Sequence, residues 1–138
     1  MAIWSKPTLD TKFHIDHQWW DNAGRNFRLV LLEQLCEGCR SRFSSLDETE
    51  TVDWVNPDTG EVTEADALIQ CLKRECASQP DFIDQRIPLT TAAFRVFLIN
   101  DNQPLSSNEL HEYLPWKQPE MILQTLAGRT TYLGIRPA

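Results

Sequence analysis

The stretch LSSNEL, residues 105–110, decides how the last third of this chain folds. Ser106 is followed three residues later by Glu109, which is the spacing of a capping box at the start of a helix. In that motif each side chain accepts a hydrogen bond from the backbone N–H of the other residue. We therefore expect a helix that begins at Ser106 and continues to about Leu114.

Two more helices and a strand are predicted around this stretch. Apolar residues recur at helical spacing over Thr90–Asn100, and again over Pro119–Ala127, where Gly128 ends the helix. The segment Asp101–Pro104 consists of turn-forming residues and separates the helix at Thr90–Asn100 from the helix that begins at Ser106. The segment Thr130–Ile135 is apolar and β-prone, so a final strand is expected there. The last third should therefore contain three helices and one strand.

This order of elements resembles a winged-helix domain over residues 90–136. The sequence LSSNEL is similar to the opening of the second helix in many bacterial winged-helix regulators, where a small residue is followed by two others and then by Glu-Leu. The resemblance implies that the helix at Pro119–Ala127 corresponds to the DNA-recognition helix of that family. It also implies a module, residues 88–138, that contacts either DNA or another protein.

The charges of the chain disfavour DNA as the partner of that module. The helix at Pro119–Ala127 contains one acid and no base, whereas major-groove reading uses Arg, Lys, Asn or Gln with cationic anchors on the phosphates. Lys117, Arg129 and Arg136 are the candidate binding residues for phosphate. The whole chain has a net charge of −7, and residues 46–87 hold eleven acids against three bases. Since cations supply most of the affinity for nucleic acid, a protein partner is favoured.

The N-terminal part is predicted to begin with a strand and a long helix. The segment Lys12–Asp16 alternates polar and apolar residues, which is typical of a half-buried strand. Residues 18–37 have an apolar stripe at helical spacing. Asp16 or Asp21 would cap this helix, and Gly38 would end it.

A hairpin and another helix should follow. Thr51–Val55 and residues 61–63 flank the turn sequence NPDTG and are predicted to pair as two strands. Thr63 and Asp66 have the spacing of a capping box, with Asp in place of the usual Glu. We therefore expect a helix near residues 64–76.

Four cysteines form the one constellation with a specific chemical meaning. Cys36 and Cys39 are separated by two residues, the spacing that places two sulfurs on one zinc ion. Cys71 and Cys76 would supply the second half of the site. In a reducing compartment, metal binding or simple burial is favoured over disulfides. The sequence therefore predicts a structural zinc clip with four thiolate ligands.

The spacing of the second pair raises a geometric difficulty. Five residues of α-helix rotate a side chain by about 500°, so the sulfurs of Cys71 and Cys76 would point about 140° apart. Either the helix unwinds before Cys76, or His14 or His17 supplies the fourth ligand. Without a metal, Cys71 and Cys76 would be small buried apolar residues.

A redox function for Cys36 and Cys39 is disfavoured by their predicted position. Redox-active pairs of this spacing lie at a helix N-terminus, where the helix dipole stabilises the thiolate. This pair is expected at a helix C-terminus beside Glu37, and both features oppose thiolate formation. The pair is therefore predicted to be structural.

The remaining candidates have weaker support. His14, Asp16 and His17 could form a catalytic or metal-binding group, but we expect ordinary strand and cap positions. Trp4 lies in an arm that cannot easily bury it, so we expect it to dock on a partner. The acidic run at residues 47–50 is expected to be a solvated loop. The sequence contains no nucleophile elbow, P-loop or dinucleotide fingerprint.

The proline-containing segment at residues 77–89 is expected to link two parts of an α+β protein. These are a zinc-stapled N-terminal part, residues 1–80, and the winged-helix-like domain, residues 88–138. The sequence shows neither a signal peptide nor an apolar run long enough to span a membrane, so a cytoplasmic location is expected. The expected function is that of a non-enzymatic adaptor or regulatory subunit that binds another protein within a transcription or nucleoprotein complex. The alternatives are a DNA-binding regulator of the winged-helix type and a small metalloenzyme.

Overall fold

The structure, a computed structural model, describes residues 6–42, 51–55 and 62–138. It divides into two compact units, one formed by Asn26–Pro80 and the other by the chain up to Arg25 together with Asp81–Ala138. The sequence predicts instead that the whole of residues 1–80 belongs together. The difference arises because a strand near the N-terminus pairs with strands near the C-terminus, and no local pattern specifies such a pairing.

Helices and antiparallel strands confirm the predicted α+β class. In chain order the elements are β1 (Lys12–Ile15), α1 (His17–Asn22), α2 (Phe27–Glu33), α3 (Glu37–Arg42), β2 (Thr51–Val55), β3 (Val62–Asp66), α4 (Ala67–Cys71), the π-helix π1 (Leu72–Cys76), α5 (Leu89–Ile99), β4 (Leu105–Ser106), α6 (Ser107–Tyr113), α7 (Pro119–Leu126) and β5 (Ile135–Pro137). Among these described elements, none of the helices has the length and apolarity that crossing a bilayer requires.

Strand β1 is the middle strand of a three-stranded antiparallel sheet, with β4 on one side and β5 on the other. Phe13 and Ile15 are buried while Lys12 is exposed, because successive side chains of a strand point to opposite faces. Phe13 pairs with Leu105 of β4 and with Pro137 of β5. The sheet thereby joins the two ends of the chain in one unit.

The core of this unit lies between the sheet and helices α5, α6 and α7. Helix α5 supplies the largest share, because its apolar stripe is almost entirely buried. The buried side chains of the three helices include Ala93, Phe94, Phe97, Leu110, Ile122 and Leu126.

The three helices of the last third begin and end within about one residue of their predicted bounds. Helix α6 has the complete capping box, since Ser106 Oγ accepts a hydrogen bond from the N–H of Glu109 at 3.2 Å and Glu109 Oε1 accepts one from the N–H of Ser106 at 3.0 Å. The final strand begins at Ile135, later than predicted. Leu133 and Gly134 have φ values of 53° and 75°, which an extended strand does not allow.

The single helix predicted over residues 18–37 is wrong, because the chain breaks twice there, once between α1 and α2 and again after α2 ends at Glu33. Gly24 adopts a φ of 66° after α1. Asn26 then caps α2 by accepting a backbone hydrogen bond at 3.2 Å. The apolar spacing continues across these breaks, so periodicity alone does not reveal them. The predicted cap at Asp16 is confirmed, since its Oδ1 accepts a hydrogen bond from the N–H of Gln18 at 3.0 Å.

Strands β2 and β3 form the predicted antiparallel hairpin. Strand β3 continues to Asp66, so the helix expected from residue 64 starts at Ala67 instead. The capping box expected at Thr63 and Asp66 is wrong, because both residues belong to β3. The turn NPDTG and the acidic run at residues 47–50 lie outside the described residues.

Asn102 completes the hydrogen bonding of β1 beyond the end of β4. Its Oδ1 accepts a hydrogen bond from the N–H of Ile15 at 2.7 Å, and its Nδ2 donates one to the C=O of Ile15 at 2.9 Å. Asn102 itself has a φ of 57°, a left-handed conformation that asparagine tolerates better than most residues. The side chain of Asn102 therefore satisfies the backbone N–H and C=O of Ile15, as a neighbouring strand would.

Asn102→Gly is expected to lower the free energy of unfolding by about 1–3 kcal/mol. The variant loses both hydrogen bonds to Ile15, while glycine adopts the left-handed backbone without strain. Denaturant unfolding measures the change. The control is Asn108→Ala, which removes an exposed contact of 3.4 Å to Asp10 and should change the stability by less than about 0.5 kcal/mol. Equal stabilities of the two variants would contradict this role for Asn102.

Candidate metal centre

Cys36 and Cys39 lie at the beginning of helix α3, not at the end of a helix as the sequence predicts. Helix α2 ends at Glu33, and Cys36 directly precedes α3, where Arg40 donates its backbone N–H to the C=O of Cys36 at 2.8 Å. Gly38, expected to end a helix, lies inside α3. The prediction that a helix C-terminus opposes thiolate formation here is therefore wrong, since the pair lies at the positive end of a helix dipole.

A change of helix type alters the predicted relation between Cys71 and Cys76. Helix α4 ends at Cys71, and the chain continues as π1, where Ala77 donates its N–H to the C=O of Leu72 at 2.9 Å. This bond spans five residues, one more than in an α-helix, so each turn is wider. The wider turn reduces the angle between residues five apart. Cys71 and Cys76 nevertheless belong to different groups, since Sγ of Cys76 lies near Cys36 and Cys39, and Sγ of Cys71 lies near Cys39 and Glu75. The predicted divergence of about 140° assumes an α-helix throughout, which this segment is not.

Three sulfurs converge between α3 and π1. The Sγ atoms of Cys36, Cys39 and Cys76 all lie within 4.8 Å of one another. Two sulfurs that are each about 2.3 Å from one ion are at most about 4.6 Å apart, so the observed grouping approaches what a shared metal requires. Cys39 and Cys76 are buried, and Cys36 is partly exposed. These three cysteines could therefore hold a metal ion.

Cys71 is joined to Cys39 by a disulfide, whereas the sequence predicts four reduced thiols. Cys36 and Cys76 are the free cysteines. Cys39 thus takes part in two arrangements, the disulfide with Cys71 and the group of three sulfurs. Only a thiolate is a metal ligand, so Cys39 cannot serve the metal and the disulfide at the same time.

Glu75 is a candidate ligand that the sequence analysis misses. Its Oε2 lies 3.2 Å from Sγ of Cys39 and 3.1 Å from Sγ of Cys71, and the three residues form a second group that could hold a metal. The available signal is the spacing, because Glu75 follows Cys71 by four residues and such pairs share one helix face. His14 and His17, considered as replacements for Cys71, belong to neither group.

The two free thiols differ in acidity. A hydrogen bond from the backbone of Cys39 holds the pKa of the Cys36 thiol below its ordinary value, and the side chain of Cys76 acts in the same direction. Burial raises the pKa of the Cys76 thiol to about 11. Cys36 is therefore the thiol that ionises first and reacts first with an electrophile.

In metal-free protein that carries the disulfide, iodoacetamide is expected to label Cys36 at least about tenfold faster than Cys76 at mildly alkaline pH. Labelling follows the thiolate fraction, so the rate at Cys76 should rise as the pH approaches about 11. Peptide mapping by mass spectrometry at successive times measures both rates. In denaturant the two rates should become similar, and equal rates in the folded protein would contradict the difference in acidity.

The predicted binding residues of the last third belong to three different segments. Lys117 and Arg129 flank the two ends of α7, and Arg129 is exposed. Arg136 lies in β5, where its Nη1 is 3.6 Å from Oδ2 of Asp16. Its charge is therefore partly compensated within the protein. Trp4, the predicted docking residue, lies outside the described residues.

His14, Asp16 and His17 occupy the ordinary positions expected from the sequence. His14 lies in β1, Asp16 caps α1, and His17 is the first residue of α1. In the part of the chain that the structure describes, none of the three belongs to a group able to hold a metal. The metal-binding alternative for these residues gains no support.

No family model, no curated protein and no solved structure matches this chain. The cysteine cluster is the most specific chemical feature of the described residues. It combines three converging sulfurs, a disulfide that shares one of them, and a carboxylate in contact with both disulfide sulfurs.

Proposed function

We propose that this chain is a non-enzymatic adaptor or regulatory subunit that binds another protein, within a transcription or nucleoprotein complex. The observation that carries this proposal is the surface of helix α7, which contains no Lys or Arg and exposes Met121. We further propose that a zinc ion, held by the four cysteines Cys36, Cys39, Cys71 and Cys76, stabilises the unit Asn26–Pro80.

Helix α7 has the surface of a protein-binding element. Glu120 is exposed, Met121 is 49 % exposed, and the helix contains no Lys or Arg. A cavity of about 380 Å³ lies along the same helix, and its lining residues are Lys6, Pro7, Glu120, Leu123, Gln124 and Ala127. Exposed methionine adapts to varied protein partners, whereas DNA phosphates require cations that this helix lacks.

We propose that α5, β4, α6, α7 and β5 form a winged-helix-like module, as the sequence resemblance implies. Under that resemblance, α7 corresponds to the helix that reads DNA in the family. Its charge and its exposed Met121 favour a protein in the place of DNA.

The metal proposed for the cysteine cluster is zinc. Reduction of the disulfide would provide two thiolates, at Cys39 and Cys71, beside the free cysteines Cys36 and Cys76. Four thiolates are a common ligand set for structural zinc, and soft sulfur ligands favour zinc over magnesium and calcium. Such an ion would tie α3 to the α4–π1 helix.

A metalloenzyme is the weaker alternative. Catalytic zinc keeps one coordination position for water or substrate, whereas four cysteine ligands fill all the positions of a tetrahedral site. A filled site supports folding and leaves partner recognition to another surface. This favours a structural metal in one unit and a binding surface on α7 in the other.

The tagged protein is expected to retain a protein partner from its native host, and Met121→Asp should weaken the retention at least about tenfold, because buried anchors carry most of the energy of an interface. The control is Leu29→Asp, a change at a similarly exposed side chain (44 %) in the other unit. It should leave retention unchanged. Equal retention of both variants would remove α7 as the binding surface.

DNA binding is the outcome that would favour the winged-helix regulator instead. Lys117, Arg129 and Arg136 allow about three phosphate contacts, so any complex with duplex DNA should be weak and should dissociate at moderate salt. A gel-shift series against salt concentration measures this. The adaptor proposal would be contradicted by a complex that persists at moderate salt. In that case the plot of log K against log salt concentration would have a slope corresponding to several phosphate contacts.

A further inference from the structure

We propose that Cys39 and Cys71 form a reversible oxidation site, in which a peroxide converts two zinc-bound thiolates into the Cys39–Cys71 disulfide and releases the zinc. This inference rests on the zinc site proposed above and adds a regulation to it. The observation that carries it is that one sulfur, that of Cys39, belongs both to the disulfide and to the group able to hold a metal.

The two arrangements exclude each other chemically. A zinc ligand is a thiolate, and a sulfur in a disulfide has given up that charge. Oxidation of Cys39 and Cys71 therefore removes two of the four proposed ligands together. Cys36 and Cys76 alone provide half of the set that structural zinc requires, so the ion should be released.

The oxidation balances with hydrogen peroxide as the two-electron oxidant. The thiolates of Cys39 and Cys71 each lose one electron and form the S–S bond, while the two Zn–S bonds break. The O–O bond of the peroxide accepts both electrons and, with two protons, yields two molecules of water. Cys36 and Cys76 then take up one proton each as the ion leaves, and Zn²⁺ is released without any change of its own oxidation state.

Glu75 is the carboxylate nearest the Cys39–Cys71 pair among the contacts of the described residues. Oε2 of Glu75 lies 3.2 Å from Sγ of Cys39 and 3.1 Å from Sγ of Cys71. A disulfide sulfur carries no proton, so these two contacts become hydrogen bonds only when Cys39 and Cys71 are thiols. In metal-free reduced protein the carboxylate of Glu75 would therefore accept hydrogen bonds from both thiols, whose sulfurs move apart once the S–S bond is broken.

Cys39 has more than one cysteine with which it could form a disulfide, and we propose that it bonds to Cys71. Cys36 and Cys76 also have sulfurs within 4.8 Å of Sγ of Cys39, so oxidation has competing pairs to choose from. The Cα atoms of Cys39 and Cys71 are 6.1 Å apart, which lies within the range that disulfides span. The backbones of α3 and α4 hold this pair at bonding separation in the oxidised protein.

The experiment starts from reduced full-length protein that has been loaded with zinc and freed of excess metal. Hydrogen peroxide is added, released zinc is measured with a chromogenic chelator, and free thiols are alkylated before peptide mapping. We expect one zinc released per disulfide formed, a cross-linked peptide that contains Cys39 and Cys71, and alkyl groups on Cys36 and Cys76. Reduction in the presence of zinc should restore the loaded protein.

Two variants test the choice of partner in metal-free protein. Cys36→Ser should still form the Cys39–Cys71 disulfide when treated with peroxide. In Cys71→Ser, any disulfide should form more slowly than the Cys39–Cys71 disulfide of the wild-type protein. Circular dichroism confirms that each variant is folded. A wild-type cross-link between Cys36 and Cys39, or between Cys39 and Cys76, would overturn the proposal.

Failure of the switch and failure of the zinc site have different signatures. A protein that binds zinc and keeps it after the Cys39–Cys71 disulfide has formed would overturn the switch and leave the zinc site standing. A reduced protein that takes up no zinc at all would overturn the zinc site, and the release step with it.

Discussion

Cys39→Ser is expected to lower the affinity for zinc by at least about a hundredfold. Loss of a residue that merely supports a metal ligand commonly costs about 10–100-fold in affinity, and loss of a ligand should cost more. Cys39 is fully buried and is the one cysteine whose sulfur belongs to both groups able to hold a metal. Competition with a chelator of known affinity measures the change.

The matched control for Cys39→Ser is Ser41→Ala, a change on the same helix. Ser41 is exposed, and its Oγ donates a hydrogen bond to the C=O of Glu37 at 2.9 Å. Removal of the Ser41 hydroxyl should leave the affinity for zinc within about twofold of the wild-type value. A residue that is not itself a ligand affects the metal through its contacts with the ligands. If Cys39→Ser bound zinc as tightly as this control, Cys39 would not be a ligand.

Gly134→Ala is expected to lower the free energy of unfolding of the unit that contains the three-stranded sheet by about 2–4 kcal/mol. Gly134 has a φ of 75°, and a Cβ placed on it would lie 2.5 Å from Nε1 of Trp20 and 3.2 Å from Cε3 of Trp19. The indole of Trp20 cannot move aside, because it is only 1 % exposed and its Nε1 donates a hydrogen bond to the C=O of Leu133 at 3.1 Å. Thermal or denaturant unfolding measures the loss.

Gly24→Ala separates the clash at Gly134 from backbone strain. Gly24 also has a positive φ, 66°, but a Cβ there would meet no atom within 4 Å. Only the left-handed conformation is then unfavourable, so the loss should be about 1–2 kcal/mol. Equal losses at the two glycines would show that Trp20 accommodates the added methyl group.

The parts of the fold that depend on neighbouring residues could be predicted from the sequence. The capping box of Ser106 and Glu109 is an example, because its two hydrogen bonds link residues three apart. Strand β1 is another, since alternation over four residues marks the buried face. Its partners could not be predicted, because β4 and β5 lie about ninety and more residues away.

The long helix predicted over residues 18–37 shows where periodicity misleads. The apolar stripe is continuous, but Gly24 and Asn26 interrupt the backbone through one positive φ and one cap. Both residue types are known helix breakers and caps, so the signal was present in the sequence. Misplacing this boundary also reversed the expected helix dipole at Cys36 and Cys39.

Three of the predicted ligands, Cys36, Cys39 and Cys76, do come together, but Glu75 and the geometry of the site were not predicted. The spacing of Cys36 and Cys39 identifies a pair that can share a metal, and that part needs only the local chain. The orientation of Cys71 and Cys76 depends on one extra residue in a helical turn, in π1. The apolar spacing of residues 64–76 follows the α-helical period and does not reveal such a turn.

Metal analysis of freshly purified, fully reduced protein is the most direct test of the proposed zinc clip. The purification is done under argon and without chelators, and zinc is measured by inductively coupled plasma mass spectrometry together with the free thiol count. We predict one zinc per chain, four thiols that are protected from alkylation until the metal is removed, and a lower Tm after its removal. Reduced protein that contains no zinc, and whose Tm does not rise when zinc is added, would contradict the proposal that the four cysteines hold a structural zinc ion.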